Sequence, residues 1–214
     1  MKTSILCFGD SNTYGYNPEN GGRYDEDTRW PKVLGKLLGE GYEIFEEGQN
    51  GRTIANDDPW EWGTKCGMDY VLPMLETKRP DILIIMLGSN DLKLKFNLSA
   101  PDIAGSLQNM LMKIKGYCEF QLGCPDMKIL VISPPALSEP FEESVFAEFF
   151  DVKNVVSRSR ELAKWYKLAA DQFGCFFLNA TEEVCGGSAD HLHLDPEGHK
   201  KLAQLVKEKI EEIK

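Results

Sequence analysis

The stretch Asp81-Ile82-Leu83-Ile84-Ile85-Met86-Leu87 decides the fold class. After its opening aspartate it is continuously apolar, with no polar face. Such a run is typical of a parallel strand that helices cover on both sides. The sequence therefore predicts an α/β sheet held between two layers of helices.

Strand-like and helix-like segments alternate on both sides of this strand. Further strands are predicted at 5–8, 42–45, 128–132 and 175–178, and helices at 30–38, 68–75, 103–114, 145–173 and 196–213. This alternation indicates parallel strands joined by right-handed crossovers. Because no Ser-, Gly- or Pro-rich linker divides the chain, we expect one three-layer α/β domain over residues 1–214.

Composition excludes several functional classes. A net charge of −10 over 214 residues argues against nucleic acid or an anionic membrane as the main partner. No apolar run approaches the roughly 20 residues that span a bilayer. The short apolar N-terminal segment does not resemble a signal peptide, and the six cysteines show no C-x-x-C spacing. These features predict a reduced, cytoplasmic protein.

Small and polar residues follow four of the five predicted strands. These stretches are Gly9-Asp10-Ser11-Asn12, Gly48–Thr53, Gly88-Ser89-Asn90-Asp91 and Asp190-His191-Leu192-His193. Each of them alone could be an ordinary turn. Ligands of parallel sheets bind outside the carboxyl ends of the strands, so together the four stretches predict a site at that edge.

The residue types in these stretches suit nucleophilic catalysis. A serine such as Ser11 needs an adjacent base to attack an ester. Asp190 precedes His193 by three residues and can turn back to orient its imidazole. Asp195 is the competing acid, but it stands directly before Pro196 and is expected to cap the last helix.

An oxyanion hole needs fixed hydrogen-bond donors. The sequence offers the backbone N–H groups of Ser11 and Gly51 and the side-chain amide of Asn90, with Gly48 as a nearby rival to Gly51. Asp91 is predicted to be a structural hydrogen-bonding residue.

A metal-dependent site is the main chemical alternative. The Asp190–His193 stretch with His199 contains three imidazoles, which could ligate zinc together with nearby carboxylates. Metallophosphoesterases, however, carry histidines beside their strand-end acid and asparagine, and this chain has none before His191. No P-loop or G-x-G-x-x-G follows the first strand. We therefore predict no metal and no cofactor, with His191 and His199 on the surface.

The combination of blocks carries a resemblance over nearly the whole chain. Gly9-Asp10-Ser11, Gly51, Gly88-x-Asn90-Asp91 and Asp190-x-x-His193 resemble, in order, the four blocks of the SGNH (GDSL) hydrolase superfamily. The likeness is sharpest to its small arylesterase and acyltransferase (perhydrolase) subfamily. The matching stretches are Arg29-Trp30, Glu46–Gly48, Arg52-Thr53, Asp57–Pro59, Ile84–Gly88 and Val131–Pro135.

The resemblance implies a flavodoxin-like sheet of order 2-1-3-4-5. It implies Ser11 as nucleophile, His193 as base, Asp190 as orienting acid, and an oxyanion hole of Ser11, Gly51 and Asn90. The expected activity is hydrolysis of short-chain, acetyl-type esters through an acyl-enzyme, with acyl transfer to alcohols or peroxide as a side reaction. The resemblance is also compatible with a homo-oligomer.

Several functions stay open at this level. A carbohydrate O-deacetylase or a lysophospholipase-type esterase would use the same triad, and a binding module would keep the fold without the chemistry. Asn12 and Tyr14, near the nucleophile, and Leu192, beside the base, are predicted to contact the small-molecule ester. Trp60 and Trp62 could line an acyl pocket, form a subunit contact or hold down their own loop.

Overall fold

The computed structural model, which describes residues 2–213, contains a five-stranded sheet in the order β2-β1-β3-β4-β5. Every neighbouring pair in it is parallel. The strands are β1 Thr3–Gly9, β2 Tyr42–Gly48, β3 Ile82–Met86, β4 Lys128–Ser133 and β5 Phe176–Asn179. The predicted parallel sheet and its strand order are confirmed.

Between residues 2 and 213, six α-helices accompany the sheet. They are α1 Ser11–Tyr14, α2 Trp30–Leu38, α3 Gly67–Lys78, α4 Ala100–Tyr117, α5 Val155–Gln172 and α6 Pro196–Ile213. Within residues 2–213, none of the helices combines the length and the apolar character needed to cross a membrane.

The β3 strand shows why its sequence has no polar face. Leu83 and Ile85 pack into the core cluster that contains α3, α4 and α5 residues. Ile82, Ile84 and Met86 pack into the opposite cluster, with α2 and α6 residues. Successive side chains of a strand point to opposite faces, so a strand between two helical layers must be apolar throughout.

The helix predicted at 145–173 is too long at its N-terminal end, because α5 begins only at Val155. The chain before it forms 3₁₀ turns at Phe141–Glu143 and Ala147–Phe149. Phe150 is extended and pairs with Lys93 in an isolated antiparallel bridge. A residue paired in this way cannot continue a helix, so tertiary pairing overrides the helical spacing of this segment.

The prediction that His191 and His199 lie on the surface is wrong, since both are buried. His199 is in the first turn of α6, where its Nδ1 accepts a 3.4 Å hydrogen bond from the Trp30 amide at the start of α2. Burial lowers the pKa of His199 to about 4. Among residues 2–213, no three His, Cys, Asp or Glu side chains are grouped so that they could hold a metal ion.

Candidate active site

Ser11 is the first residue of α1, which begins two residues after β1 ends. Asp10 caps this helix, and its carboxylate accepts a 3.0 Å hydrogen bond from the Asn12 amide. Gly9 is needed at the turn, since a Cβ there would come within 2.1 Å of the Thr13 hydroxyl oxygen. The Gly-Asp-Ser stretch therefore places Ser11 at the carboxyl edge of the sheet.

A serine–histidine–aspartate chain of hydrogen bonds forms at this edge. Ser11 Oγ lies 2.9 Å from His193 Nε2, and His193 Nδ1 lies 2.6 Å from Asp190 Oδ2. The other Asp190 oxygen, Oδ1, accepts the backbone N–H groups of His193 at 2.8 Å and Leu192 at 3.0 Å. Asp195 instead accepts the Gly198 amide at 2.7 Å, in the first turn of α6.

The surroundings keep Asp190 ionised and His193 enclosed. Burial opposes ionisation of Asp190, but hydrogen bonding to His193 and attraction to it outweigh burial and lower its pKa. The His193 ring lies 4.4 Å from the Tyr16 ring and 5.5 Å from the Phe146 ring, centroid to centroid. These two aromatic rings restrict the movement of the imidazole.

The three predicted oxyanion donors, Ser11, Gly51 and Asn90, line one cavity. As the first residue of α1, Ser11 has no carbonyl partner for its N–H within that helix. Gly51 has a left-handed φ of 79° and lines the same cavity as Ser11. Asn90 follows β3, and its amide nitrogen donates one proton to the Arg52 carbonyl at 3.1 Å, which leaves the second proton of the amide.

Gly48 and Asp91 support the backbone near the site and do not line the cavity. Gly48 packs so closely on α1 that a Cβ would lie 2.1 Å from the Tyr14 nitrogen, and it is not on the cavity wall. Both Asp91 carboxylate oxygens accept the Ile54 amide at 3.1 Å. Burial raises the pKa of Asp91 to about 7.

A cavity of about 360 Å³ opens at Ser11. Five of the predicted residues line it, namely Ser11, Gly51, Asn90, Leu192 and His193. The remaining wall consists of Tyr16, Asn50, Trp60, Glu61, Lys93, Lys95, Phe146, Phe149 and Phe150. An apolar cavity with a few converging polar groups is the usual form of a small-molecule site.

Asn12 and Tyr14, predicted as substrate contacts, are not part of this wall. The buried Asn12 amide instead accepts the Leu194 N–H at 2.9 Å and donates to the Leu192 carbonyl at 3.4 Å. Asn12 thus links the Ser11 helix to the loop that carries His193. The Tyr14 ring instead packs against the Arg23 guanidinium, whose central carbon lies 4.5 Å from the ring centroid.

The aromatic wall of the cavity was not predicted from the sequence. Phe146, Phe149 and Phe150 follow β4, in a segment whose spacing is typical of a helix rather than of a site. The rule that ligands bind at the carboxyl ends of parallel strands applies to β4 as well and could have found them. Tyr16 carried no comparable signal, since only the turn after α1 brings its ring against His193.

Charged residues and Trp60 form the polar side of the cavity. Lys93 Nζ lies 2.8 Å from Glu61 Oε1, and Lys95 Nζ lies 2.6 Å from the buried Asp58 carboxylate. Trp60 is 85% exposed on this wall, whereas Trp62 is 95% exposed and off it. Side chains so exposed cannot hold their loop down, so that interpretation of the two tryptophans is wrong.

Known structures share this fold over the full chain. A carbohydrate acetylesterase from Sinorhizobium meliloti is 32% identical, with a TM-score of 0.88 and 100% coverage of both chains. An aryl esterase from M. smegmatis is also 32% identical, with a TM-score of 0.89 and coverage of 99% of this chain and 100% of that one.

Sequence comparison agrees with the structural likeness. An acetylxylan esterase from Xylanibacter ruminicola is 23% identical over 218 residues, which cover 94% of this chain and 42% of that protein. The chain thus spans less than half the length of this curated relative. The profile of the GDSL-like lipase/acylhydrolase family matches residues 7–201. The chain therefore belongs to the GDSL-like lipase/acylhydrolase family.

Proposed function

We propose that the chain is a serine esterase that cleaves short-chain, acetyl-type esters through an acyl-enzyme. The observation that carries the proposal is the continuous hydrogen-bond chain Ser11–His193–Asp190 on the cavity wall. His193 Nε2 takes the hydroxyl proton as Ser11 Oγ attacks the ester carbonyl. The same proton then goes to the leaving alcohol as the C–O bond breaks.

Deacylation repeats these steps with water as the nucleophile and Ser11 as the leaving group. His193 removes a proton from water, the oxygen of that water attacks the acyl-enzyme, and the carboxylic acid leaves as Ser11 regains its proton. An alcohol or a peroxide can replace water in this step and receive the acyl group. Tyr16, Phe146 and Phe150 support such transfer, because an apolar wall lowers the local competition from water.

The Ser11 and Gly51 N–H groups and the free Asn90 amide proton bind the oxyanion in both steps. We expect Asn90→Ala to lower kcat for p-nitrophenyl acetate by about 10²–10³, because one preorganised donor is lost. The fold should persist, since the side chain makes one hydrogen bond, to the Arg52 carbonyl. Steady-state kinetics and circular dichroism check both points. Near-full activity in a folded Asn90→Ala variant would remove Asn90 from the oxyanion hole.

Esters of sugars are the second candidate substrates, and the polar side of the cavity favours them. The exposed Trp60 ring offers a flat surface for the apolar face of a pyranose, and the neighbouring Glu61 and Lys95 can hydrogen-bond its hydroxyls. The similarity to an acetylxylan esterase and to a carbohydrate acetylesterase supports the same class.

The neighbouring tryptophans provide a matched pair for this test. We expect Trp60→Ala to lower kcat/KM for acetylated xylo-oligosaccharides about tenfold relative to ethyl acetate, since a stacked ring is lost. Trp62→Ala should leave this ratio unchanged. Both variants and the wild type are assayed on these esters and on p-nitrophenyl acetate, butyrate and octanoate.

The length of the acyl chain distinguishes a short acyl site from a lipid-type one. Activity that falls from acetate to octanoate supports the short acyl site, and a preference for octanoate would favour a lysophospholipase-type esterase. An equal effect of the two tryptophan substitutions on the sugar ester would contradict the Trp60 subsite.

A further inference from the structure

His191 adopts a backbone conformation that its side chain does not favour. Its φ of 60° lies in the left-handed region, and it separates Asp190 from Leu192 and His193. Glycine adopts this conformation freely, whereas a residue with a Cβ is strained in it. Strained residues of this kind persist where surrounding contacts hold them, and they cluster at functional sites. The histidine side chain should therefore make a contact that glycine could not.

That contact is a second serine–histidine pair. Ser138 Oγ lies 2.9 Å from His191 Nδ1, and the Ser138 backbone N–H donates to the His191 carbonyl at 3.0 Å. Ser138 follows β4 and is not on the wall of the Ser11 cavity. Side chain and backbone thus connect the chain after β4 to the loop that carries the predicted acid and base.

Neighbouring contacts also connect the chain after β4 to this loop. The buried Ser144 hydroxyl donates to the Asp190 carbonyl and accepts the Phe146 amide at 3.2 Å. The Gly186 amide donates to the Ala136 carbonyl at 2.8 Å. The segment 136–146 therefore holds the loop 186–193 at several points and also supplies the Phe146 ring that packs on His193.

Such support matters because Ser11 and His193 are 182 residues apart in the chain. Nothing local keeps Nε2 at 2.9 Å from Ser11 Oγ, so tertiary contacts must do it. Asn12 holds the loop from the side of Ser11. On the basis of the proposed function, we propose that Ser138 and His191 are positioning residues that hold Asp190 and His193 in register with Ser11.

Substitution at His191 separates positioning from simple stabilisation. His191→Gly relieves the backbone strain but removes the contact with Ser138, so we expect an unchanged or raised Tm. A loosened imidazole should lower kcat by about tenfold or more, because small misplacements of reacting groups slow the chemistry, while KM stays close to the wild-type value. Asparagine also adopts the left-handed conformation, and its side-chain amide can pair with the Ser138 hydroxyl as donor or as acceptor, so His191→Asn should recover part of kcat.

Substitution of Ser138, the partner of His191, provides the second part of the test. Ser138→Ala should lower kcat as His191→Gly does, and Ser138→Thr should restore most of it by returning the hydroxyl. The double variant Ser138→Ala/His191→Gly should be no slower than either single variant, because both remove one interaction. Initial rates on p-nitrophenyl acetate and labelling rates with a fluorophosphonate report the reactivity of Ser11 directly.

Three results would overturn the proposal. Wild-type kcat in His191→Gly would show that the side chain does not position the base. Additive losses in the double variant would show that the two residues act separately. Fluorophosphonate labelling of Ser138 in a Ser11→Ala background would show that Ser138 is itself a nucleophile. Failure of the proposed function is distinguishable, because Ser11→Ala would then keep its activity whatever happens at His191.

Discussion

Replacement of Ser11 by alanine is expected to lower p-nitrophenyl acetate hydrolysis by about four orders of magnitude or more. In the proposed mechanism the oxygen of this hydroxyl is the atom that becomes acylated, and no other residue on the cavity wall is a serine, threonine or cysteine. The proposed oxyanion donors and the cavity remain, so a small residual rate above the uncatalysed one should persist.

The control for this variant is another buried serine. Ser133 lies in β4 and hydrogen-bonds Asn179 and Thr181, away from the cavity wall. Ser133→Ala removes a hydroxyl of the same kind and should retain kcat. EDTA should affect neither protein. Activity that survives in Ser11→Ala, or that EDTA abolishes in the wild type, would refute the triad and restore the metal hypothesis.

Asp190→Asn is expected to lower kcat by about 10⁴ with little change in fold. Asp190 Oδ1 accepts two backbone N–H groups, so the amide oxygen of asparagine should occupy that position. The amide NH₂ then replaces Oδ2 and faces His193 Nδ1, where it acts as a donor. His193 must then carry its proton on Nε2, and it can no longer accept the Ser11 proton.

The neighbouring acid provides the comparison. Asp195 is on the same loop and caps α6 through the Gly198 amide, a role that asparagine also fills. Asp195→Asn should therefore keep near-wild-type kcat and Tm. A similar decrease in kcat for Asp190→Asn and Asp195→Asn would mean that the loop tolerates no change in charge. That result would contradict the specific role proposed for Asp190.

Local sequence determined the sheet and the central part of the site. The uninterrupted apolar character of β3 predicts helices on both faces, since each face must be covered. Ser11, Asn90 and His193 could be predicted as candidate site residues because short blocks after strands carry them to one edge, whatever happens elsewhere in the chain. Asp190 could be paired with His193 because three residues of one turn separate them.

Tertiary structure decided what depends on residues far apart in the chain. The pairing of Phe150 with Lys93 keeps the segment before α5 from forming the predicted helix. The same segment supplies the aromatic wall of the cavity. Asn12 bonds to the His193 loop rather than facing substrate, and α6 packs His199 against α2. In each case the deciding contact comes from a segment far away in the chain. Neither hydrophobic periodicity nor a sequence motif indicates that this segment will pack there. The sequence therefore determined which candidate reactive groups meet at one edge of the sheet, and long-range packing determined which residues hold them and line the cavity.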